Sequence, residues 1–149
     1  MRKNLLFESP EYLVHRLVLE MDRAADAVLQ SELGISYKRF YLLSVLSHLD
    51  DATQHDLAVA LGHSDPSVSS MLAELQKVGL VSTTVHPRHA RKRLVGLTSD
   101  ARVILKKGER RLHKLFQQLL VDADVDGAHY ADLTKRLFMT ITHDGESAT

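Results

Sequence analysis

Residues 53–98 read TQHDLAVALGHSDPSVSSMLAELQKVGLVSTTVHPRHARKRLVGLT, and this stretch decides the fold. Its first half carries two short helical patterns of apolar residues, with Gly62 between them. Its second half carries two alternating stretches rich in β-branched residues, 80–85 and 93–97, with the turn-forming Pro87 between them. Helical periodicity indicates helices, and two-residue alternation indicates strands. The order therefore predicts a helix-turn-helix followed by a two-stranded wing.

The two central helices carry their own start signals. Thr53 is followed three residues later by Asp56, which is a variant of the capping box. The second helix begins at 64–66, where Ser64 or Asp65 can act as N-cap and the proline fits the first turn. Gly79 supplies its C-terminal stop. An apolar stripe at helical spacing turns the short side chains of this helix outward, and it consists of Val68, Met71, Leu72 and Leu75.

Longer helical patterns lie on both sides of this stretch. The first predicted helix runs from Ser9-Pro10 to near Gly34, and the second from Ser36 to a break at Asp50-Asp51. After the wing, a long helix runs from Thr98 to about Leu120, with a local irregularity at Gly108. A last helix spans Tyr130 to Ile141, and a frayed tail follows at 143–149. We therefore expect a single unit over 1–149 that is mostly α with a small β-hairpin. Residues 36–98 form its winged helix-turn-helix lobe, flanked by helices at 9–34 and 99–143.

The composition excludes several classes of protein. With 149 residues, 44% of them hydrophobic and 26% charged, the chain suits one globular domain. The absence of cysteine excludes a disulfide framework, a thiolate nucleophile and a Cys-based zinc finger. No apolar run approaches the roughly 20 residues that cross a bilayer, and residues 1–8 lack the features of a signal peptide. These observations predict a cytoplasmic protein with no membrane partner.

The charge is distributed unevenly along the chain. Although the net charge is zero, residues 81–111 hold nine Lys or Arg against two acids, so this segment is +7 and the remainder −7. Four of the nine, at 106, 107, 110 and 111, have the spacing of an ordinary solvated helix face. The cluster at 88–93 has no such explanation. It indicates a binding surface for a polyanion.

Shape and charge together point to double-stranded DNA. A helix with short outward side chains fits a major groove about 12 Å wide, and an arginine-rich hairpin can reach the adjacent minor groove or its phosphates. Helix N-termini can bind further phosphates. The residues expected to contact DNA are Ser64, Asp65, Pro66, Ser67, Ser69, Ser70 and Lys77 on the second helix, Arg88, His89, Arg91, Lys92 and Arg93 on the wing, and Ser36, Lys38, Thr53 and Gln54 at helix N-termini.

The chain resembles the MarR family of winged helix-turn-helix regulators over nearly its whole length. The matching stretches are TQHDLA at 53–58, PSVSSML at 66–72, LQKVGLV at 75–81 and LT at 97–98. The resemblance implies a triangular homodimer in which the N-terminal and C-terminal helices of two chains intertwine as a dimerisation lobe. It also implies transcriptional control, usually repression of a pseudo-palindromic operator, relieved by a small ligand between the two lobes. We expect no cofactor.

The chain departs from the family pattern at three positions. The family wing typically carries Asp-x-Arg, in which the acid orients the arginine, but here His89 precedes Arg91 at that spacing. Positions that are often arginine in the family's second helix are Ser70 and Glu74. The helix therefore lacks the arginines suited to guanine, and base recognition falls to serine hydroxyls, bridging water or DNA shape.

Three alternatives remain open. Nine histidines raise the possibility of a metal-responsive regulator, although the His86-x-x-His89 pair has no evident third ligand. The same pair predicts a wing that gains charge below about pH 6.5 and then binds DNA more tightly. A winged helix can also serve as a protein-interaction module. An enzyme is not expected, because the chain has no phosphate loop, nucleophile elbow or His-Glu-x-x-His motif.

Overall fold

A computed structural model describes residues 8–146, without the side chains of residue 90 and residues 143–146. It contains six α-helices and one antiparallel hairpin, which confirms the predicted fold class. The elements are α1 (Pro10–Leu33), α2 (Tyr37–Leu46), α3 (Gln54–Leu61), α4 (Asp65–Lys77), β1 (Val81–His86), β2 (His89–Leu97), α5 (Ser99–Asp122) and α6 (Gly127–Glu146). None of the described helices is long and apolar enough to cross a membrane.

Side-chain caps begin the first four helices where the sequence predicts them. The hydroxyls of Ser9, Ser36, Thr53 and Ser64 each accept a hydrogen bond from a backbone N–H in the first turn of α1, α2, α3 and α4 respectively. At Thr53 the capping box is complete, since the Thr53 N–H also donates a hydrogen bond to the Asp56 carboxylate. These caps satisfy N–H groups that have no partner within a helix. Local sequence therefore fixes where each helix begins.

The turn between α3 and α4 depends on Gly62, whose φ is +63°. This left-handed conformation is strained for residues with a Cβ and readily adopted by glycine. The two helices then pack through their apolar sides. The largest fully buried side chains of the chain include Leu57 of α3 and Val68 and Leu75 of α4.

The wing is anchored to the helix-turn-helix at its base. The backbone N–H of Val95 donates to the Ala52 carbonyl at 2.8 Å, and Val81 and Val95 are both buried. Near the turn the register shifts: Val85 pairs with Arg93, but the next pair is His86 with His89. The register shift makes the ladder irregular on the β2 side between His89 and Arg93, and this segment is called the bulge. Bulges twist a hairpin and redirect its side chains.

The chain forms two compact units, the first ending at Glu109 and the second beginning at Arg110. Within the first unit, Gly108 of α5 is buried and faces the ring of Phe40, which is 4% exposed. Within the second unit, the rings of Phe116 and Tyr130 lie 5.7 Å apart, and Leu120 is buried.

Four predicted boundaries are wrong. Helix α2 ends at Leu46 rather than near Asp50, because the Ser47 hydroxyl donates to the Ser44 carbonyl and a ring nitrogen of His48 lies 2.8 Å from the same oxygen. Helix α5 continues through Gly108 without a break. Strand β2 begins at 89 rather than 93, because the turn is short. Helix α6 continues to 146, so the tail is helical over 143–146, and 147–149 lie outside the described residues.

Candidate nucleic-acid interface

Helix α4 presents a polar surface of short side chains. Its N-cap hydroxyl, on Ser64, accepts from the Ser67 N–H at 3.4 Å. Ser69, Ser70 and Lys77 are exposed, whereas Ser67 is only half-exposed. This helix can therefore approach another surface closely, as entry into a major groove requires.

The first turn of α4 is held by two side chains from α3. The amide of Gln54 donates to the Asp65 carbonyl at 3.3 Å, and Nδ1 of His55 lies 3.2 Å from an Asp65 carboxylate oxygen. Gln54 was predicted to contact phosphate, but here its amide helps to fix the angle between α3 and α4. The sequence gives no signal for this contact, because the partners are 11 residues apart.

The N-terminus of α3 already carries a negative charge. Hydrogen bonds from the side chain and then the backbone of Thr53 hold the pKa of Asp56 below its usual value of 3.8, and the positive charge of Lys92 on the wing lowers it further. The Asp56 carboxylate is therefore ionised at neutral pH and accepts from the Thr53 N–H at 2.9 Å. A phosphate near Thr53 has to compete with this carboxylate.

The N-terminus of α2 is arranged in a similar way. The Tyr37 N–H donates to a carboxylate oxygen of Asp26 on α1 at 2.7 Å, while Ser36 caps the Arg39 N–H. Lys38 is exposed. Burial, followed by the negative charge of Asp22, raises the pKa of the Tyr37 phenol above 10.0. Of the two residues predicted to bind phosphate here, Lys38 is exposed, whereas Ser36 is half-buried and its hydroxyl is engaged in the cap.

An ion pair connects α2 to the outer side of α4. Nη2 of Arg39 donates to a carboxylate oxygen of Glu74, and both side chains are about half exposed. Arg39 was not among the predicted site residues. No local sequence signal could have identified it, because the two residues lie 35 positions apart and their side chains meet only in the folded chain.

The wing carries its positive charge on exposed side chains. Arg88 lies in the turn, Arg91 and Lys92 lie in the bulge, and Arg93 follows on β2, all of them exposed together with His89. Among the described residues, no ion pair involves a wing arginine. The wing is therefore a cationic surface with unpaired guanidinium groups. This surface extends from the turn onto β2.

The wing histidines lie next to each other across the hairpin. The ring centroids of His86 and His89 are 5.0 Å apart, and Nδ1 of His86 accepts from the Arg88 N–H at 3.0 Å. The pH response predicted for this pair stays a prediction. In the described part of the chain, no three His, Asp or Glu side chains are grouped as a metal site would require.

A cavity of about 420 Å³ lies beside the inner face of the wing, within the first unit. It is bounded by the end of α2, the loop that follows, both wing strands and the first turns of α5. The lining residues are Leu46, Ser47, Leu49, Asp50, Asp51, Ser82, Thr84, Leu94, Val95, Gly96, Leu97 and Arg102. Small-molecule sites commonly have volumes of about 300–1,000 Å³.

Comparisons with known proteins agree with this geometry. Residues 33–92 match the sequence profile of the MarR family. An uncharacterized HTH-type transcriptional regulator of Bacillus subtilis (strain 168), YdgJ, is 28% identical over 93 residues, which cover 62% of this chain and 57% of that protein. The chain thus spans little more than half of the length of this relative.

Solved structures share the fold over most of the chain. MarR from E. coli in its apo form superposes with a TM-score of 0.75 at 23% identity, covering 89% of this chain and 96% of that one. MepR from S. aureus, solved as a MepR–DNA complex, superposes with a TM-score of 0.73 at 22% identity, covering 91% and 96%. At these identities the likeness establishes the arrangement of helices and wing.

Proposed function

We propose an operator-binding function for this chain, which belongs to the MarR family of helix-turn-helix transcriptional regulators. In this proposal it is a repressor that binds double-stranded DNA as a homodimer. The family is one of regulators, not enzymes. The observation that carries the proposal is a capped helix with short outward side chains, followed directly by a hairpin whose exposed residues are cationic.

Each protomer inserts α4 into a major groove, with Ser69 and Ser70 towards the base edges and Lys77 towards phosphate. The bulge then places Arg91 and Lys92 in the flanking minor groove or against its phosphates. Lys38 binds a phosphate near the N-terminus of α2. Thr53 and Gln54 bind phosphate more weakly, because the Thr53 N–H already donates to the Asp56 carboxylate and the Gln54 amide already donates to the Asp65 carbonyl.

Two exposed apolar surfaces support the homodimer. Leu13, Val14, Leu17 and Val18 of α1 are each 41–57% exposed. On α6, Leu137, Phe138 and Ile141 are each 64–74% exposed. Large apolar side chains exposed together usually mark an interface. We assign both surfaces to contact with a second copy of the chain, in line with the family resemblance.

A ligand response is proposed from the same resemblance. The ligand would act by its different affinity for the DNA-binding and released arrangements. The cavity beside the wing is one place where this can be tested, because its walls include both wing strands. Its charged lining residues are Asp50, Asp51 and Arg102, so the test there should include cationic as well as anionic small molecules.

The test is selection of bound sequences from a random duplex pool. A homodimer predicts enrichment of a pseudo-palindrome whose half-sites are about 10 base pairs apart. Binding to the enriched duplex should weaken steeply with salt, with a slope of log affinity against log salt near −0.9 per phosphate contact. Failure to enrich any palindrome, together with weak salt dependence, would favour the alternative of a protein-interaction module.

A reporter assay then tests repression. The enriched operator placed across a promoter should lower expression when the chain is present. Increased expression would show that the chain activates rather than represses this promoter. The proposed DNA binding would still hold.

A further inference from the structure

The geometry points to Arg39 as a base-reading residue of the DNA-binding surface, held in position by Glu74. This inference rests on the proposed function and adds a specificity-determining side chain to it. Its chemistry is that of a guanidinium donating to the acceptor edge of a guanine.

The position of Arg39 places its guanidinium beside α4. The residue lies in the first turn of α2, where its own N–H is held by the Ser36 hydroxyl at 3.4 Å. Its side chain extends to Glu74, the residue four positions after Ser70 and three before Lys77. Residues three and four apart on a helix are neighbours on one side. The arginine therefore lies at the margin of the exposed polar side of α4.

The ion pair leaves most of the guanidinium available. The bond to Glu74 uses one of five N–H donors. The Arg39 side chain is 43% exposed and that of Glu74 is 49% exposed. Such an exposed pair contributes little to stability. What it supplies is orientation, because one fixed N–H restricts a long side chain, and the 43% exposure of that side chain leaves guanidinium surface open to another partner.

An oriented arginine is the group that this surface otherwise lacks. The outward side chains of α4 include serines, Ala73 and Lys77 but no arginine. The wing arginines have no carboxylate partner among the described residues. Of the arginine–carboxylate pairs in the described part of the chain, the one that includes a residue of α4 is Arg39–Glu74. Bidentate donation to O6 and N7 of guanine needs a rigid fork, and arginine has one.

Two substitutions separate this role from a structural one. Arg39→Lys keeps the charge but removes the fork. Glu74→Gln keeps the shape but removes the charge that orients the guanidinium. Asp132→Asn is the matched control, because it removes the same charge from an exposed carboxylate paired with Arg136 on α6. All three should leave the melting temperature nearly unchanged.

The measurement is affinity of the full-length protein for its selected operator, for single-base variants of each half-site and for an unrelated duplex at fixed salt. We expect the wild type to prefer guanine at one position per half-site, and Arg39→Lys to reduce that preference by about five- to hundredfold. Glu74→Gln should reduce the same preference while raising affinity for the unrelated duplex, because a negative charge near phosphates is removed. Asp132→Asn should change neither quantity.

Three results would overturn the inference. Base preferences unchanged in Arg39→Lys and Glu74→Gln would show that the pair does not read sequence. An equal loss of affinity for all duplexes would assign Arg39 to phosphate contact. A fall in melting temperature with parallel loss of all binding would assign the pair to folding. If the wild type itself enriches no sequence, the operator function fails and this inference with it, which is a distinct outcome.

Discussion

Substituting Gly108 by alanine tests the packing of α5 against α2. A Cβ built on Gly108 would lie 2.2 Å from Cε2 and 2.7 Å from Cζ of Phe40. Ordinary contact between carbon atoms is about 3.5–4.0 Å, so the added methyl group or the ring has to move by more than 1 Å. Phe40 is 4% exposed, so its ring cannot turn outward without losing buried apolar contacts.

Two opposing terms determine the size of the effect. Alanine in place of glycine within a helix stabilises by about 1 kcal/mol. Overpacking a core costs about 1–3 kcal/mol, and the short distances here place the cost near the upper limit. We therefore expect a net loss of about 2 kcal/mol, which lowers Tm by roughly 4–8 °C for a chain of this size.

The assay is thermal and urea unfolding at one fixed protomer concentration, since dimerisation makes Tm depend on concentration. Gly96→Ala is the matched control, because its Cβ would meet the Ser82 Oγ at 3.8 Å, an ordinary contact. In a Phe40→Ala background the obstruction is gone, so Gly108→Ala should become stabilising there. A stabilising Gly108→Ala in the wild-type background, or the same loss in both backgrounds, would refute the packing argument.

Three further predictions concern the DNA-binding unit. Arg91→Ala should weaken operator binding about tenfold or more while sedimentation still shows a dimer; undiminished affinity would refute the wing assignment. Thr53→Ala should cost about 1 kcal/mol of unfolding free energy through loss of the cap, whereas Thr53→Ser should cost little, and equal losses would contradict the capping role. The pKa of Tyr37 is raised in the folded state, so the contribution of the protonated phenol to the free energy of unfolding is complete below pH 10.0 and is lost as pH rises through the pKa of the folded state. Tyr37→Phe should therefore make the loss of stability at alkaline pH less steep. An unchanged pH profile of stability would contradict this.

Much of the fold could be predicted because its signals are local. The hydroxyl caps, Gly62 and the apolar stripe of α4 act within a few residues of their own position, so their sequence patterns and their structures correspond. One error, the end of α2, has a local cause in the contacts of Ser47 and His48 with the Ser44 carbonyl, and two others arose where contacts between separate elements decide. The start of β2 follows from a register shift across the hairpin. Gly108, a weak helix former by propensity, is retained in a continuous helix because Phe40 packs against it.

The candidate site divides in the same way. The wing cluster could be identified from the sequence, because like charges spaced closely along a hairpin are exposed in any register. The hydrogen-bond partners of Thr53, Gln54 and Arg39 could not be predicted from the sequence, since each depends on which carboxylate or carbonyl group lies next to that residue in the folded chain.

The sequence by itself determined that this chain is a winged helix-turn-helix protein with a cationic wing, because periodicity, caps and charge are properties of short stretches. Only the tertiary structure decided how that surface is completed. It placed Arg39 against Glu74, 35 residues away, and it placed Arg91 and Lys92 at the register shift of the wing. The physical reason is that side-chain partners between elements are set by packing angle and register, which no local pattern encodes.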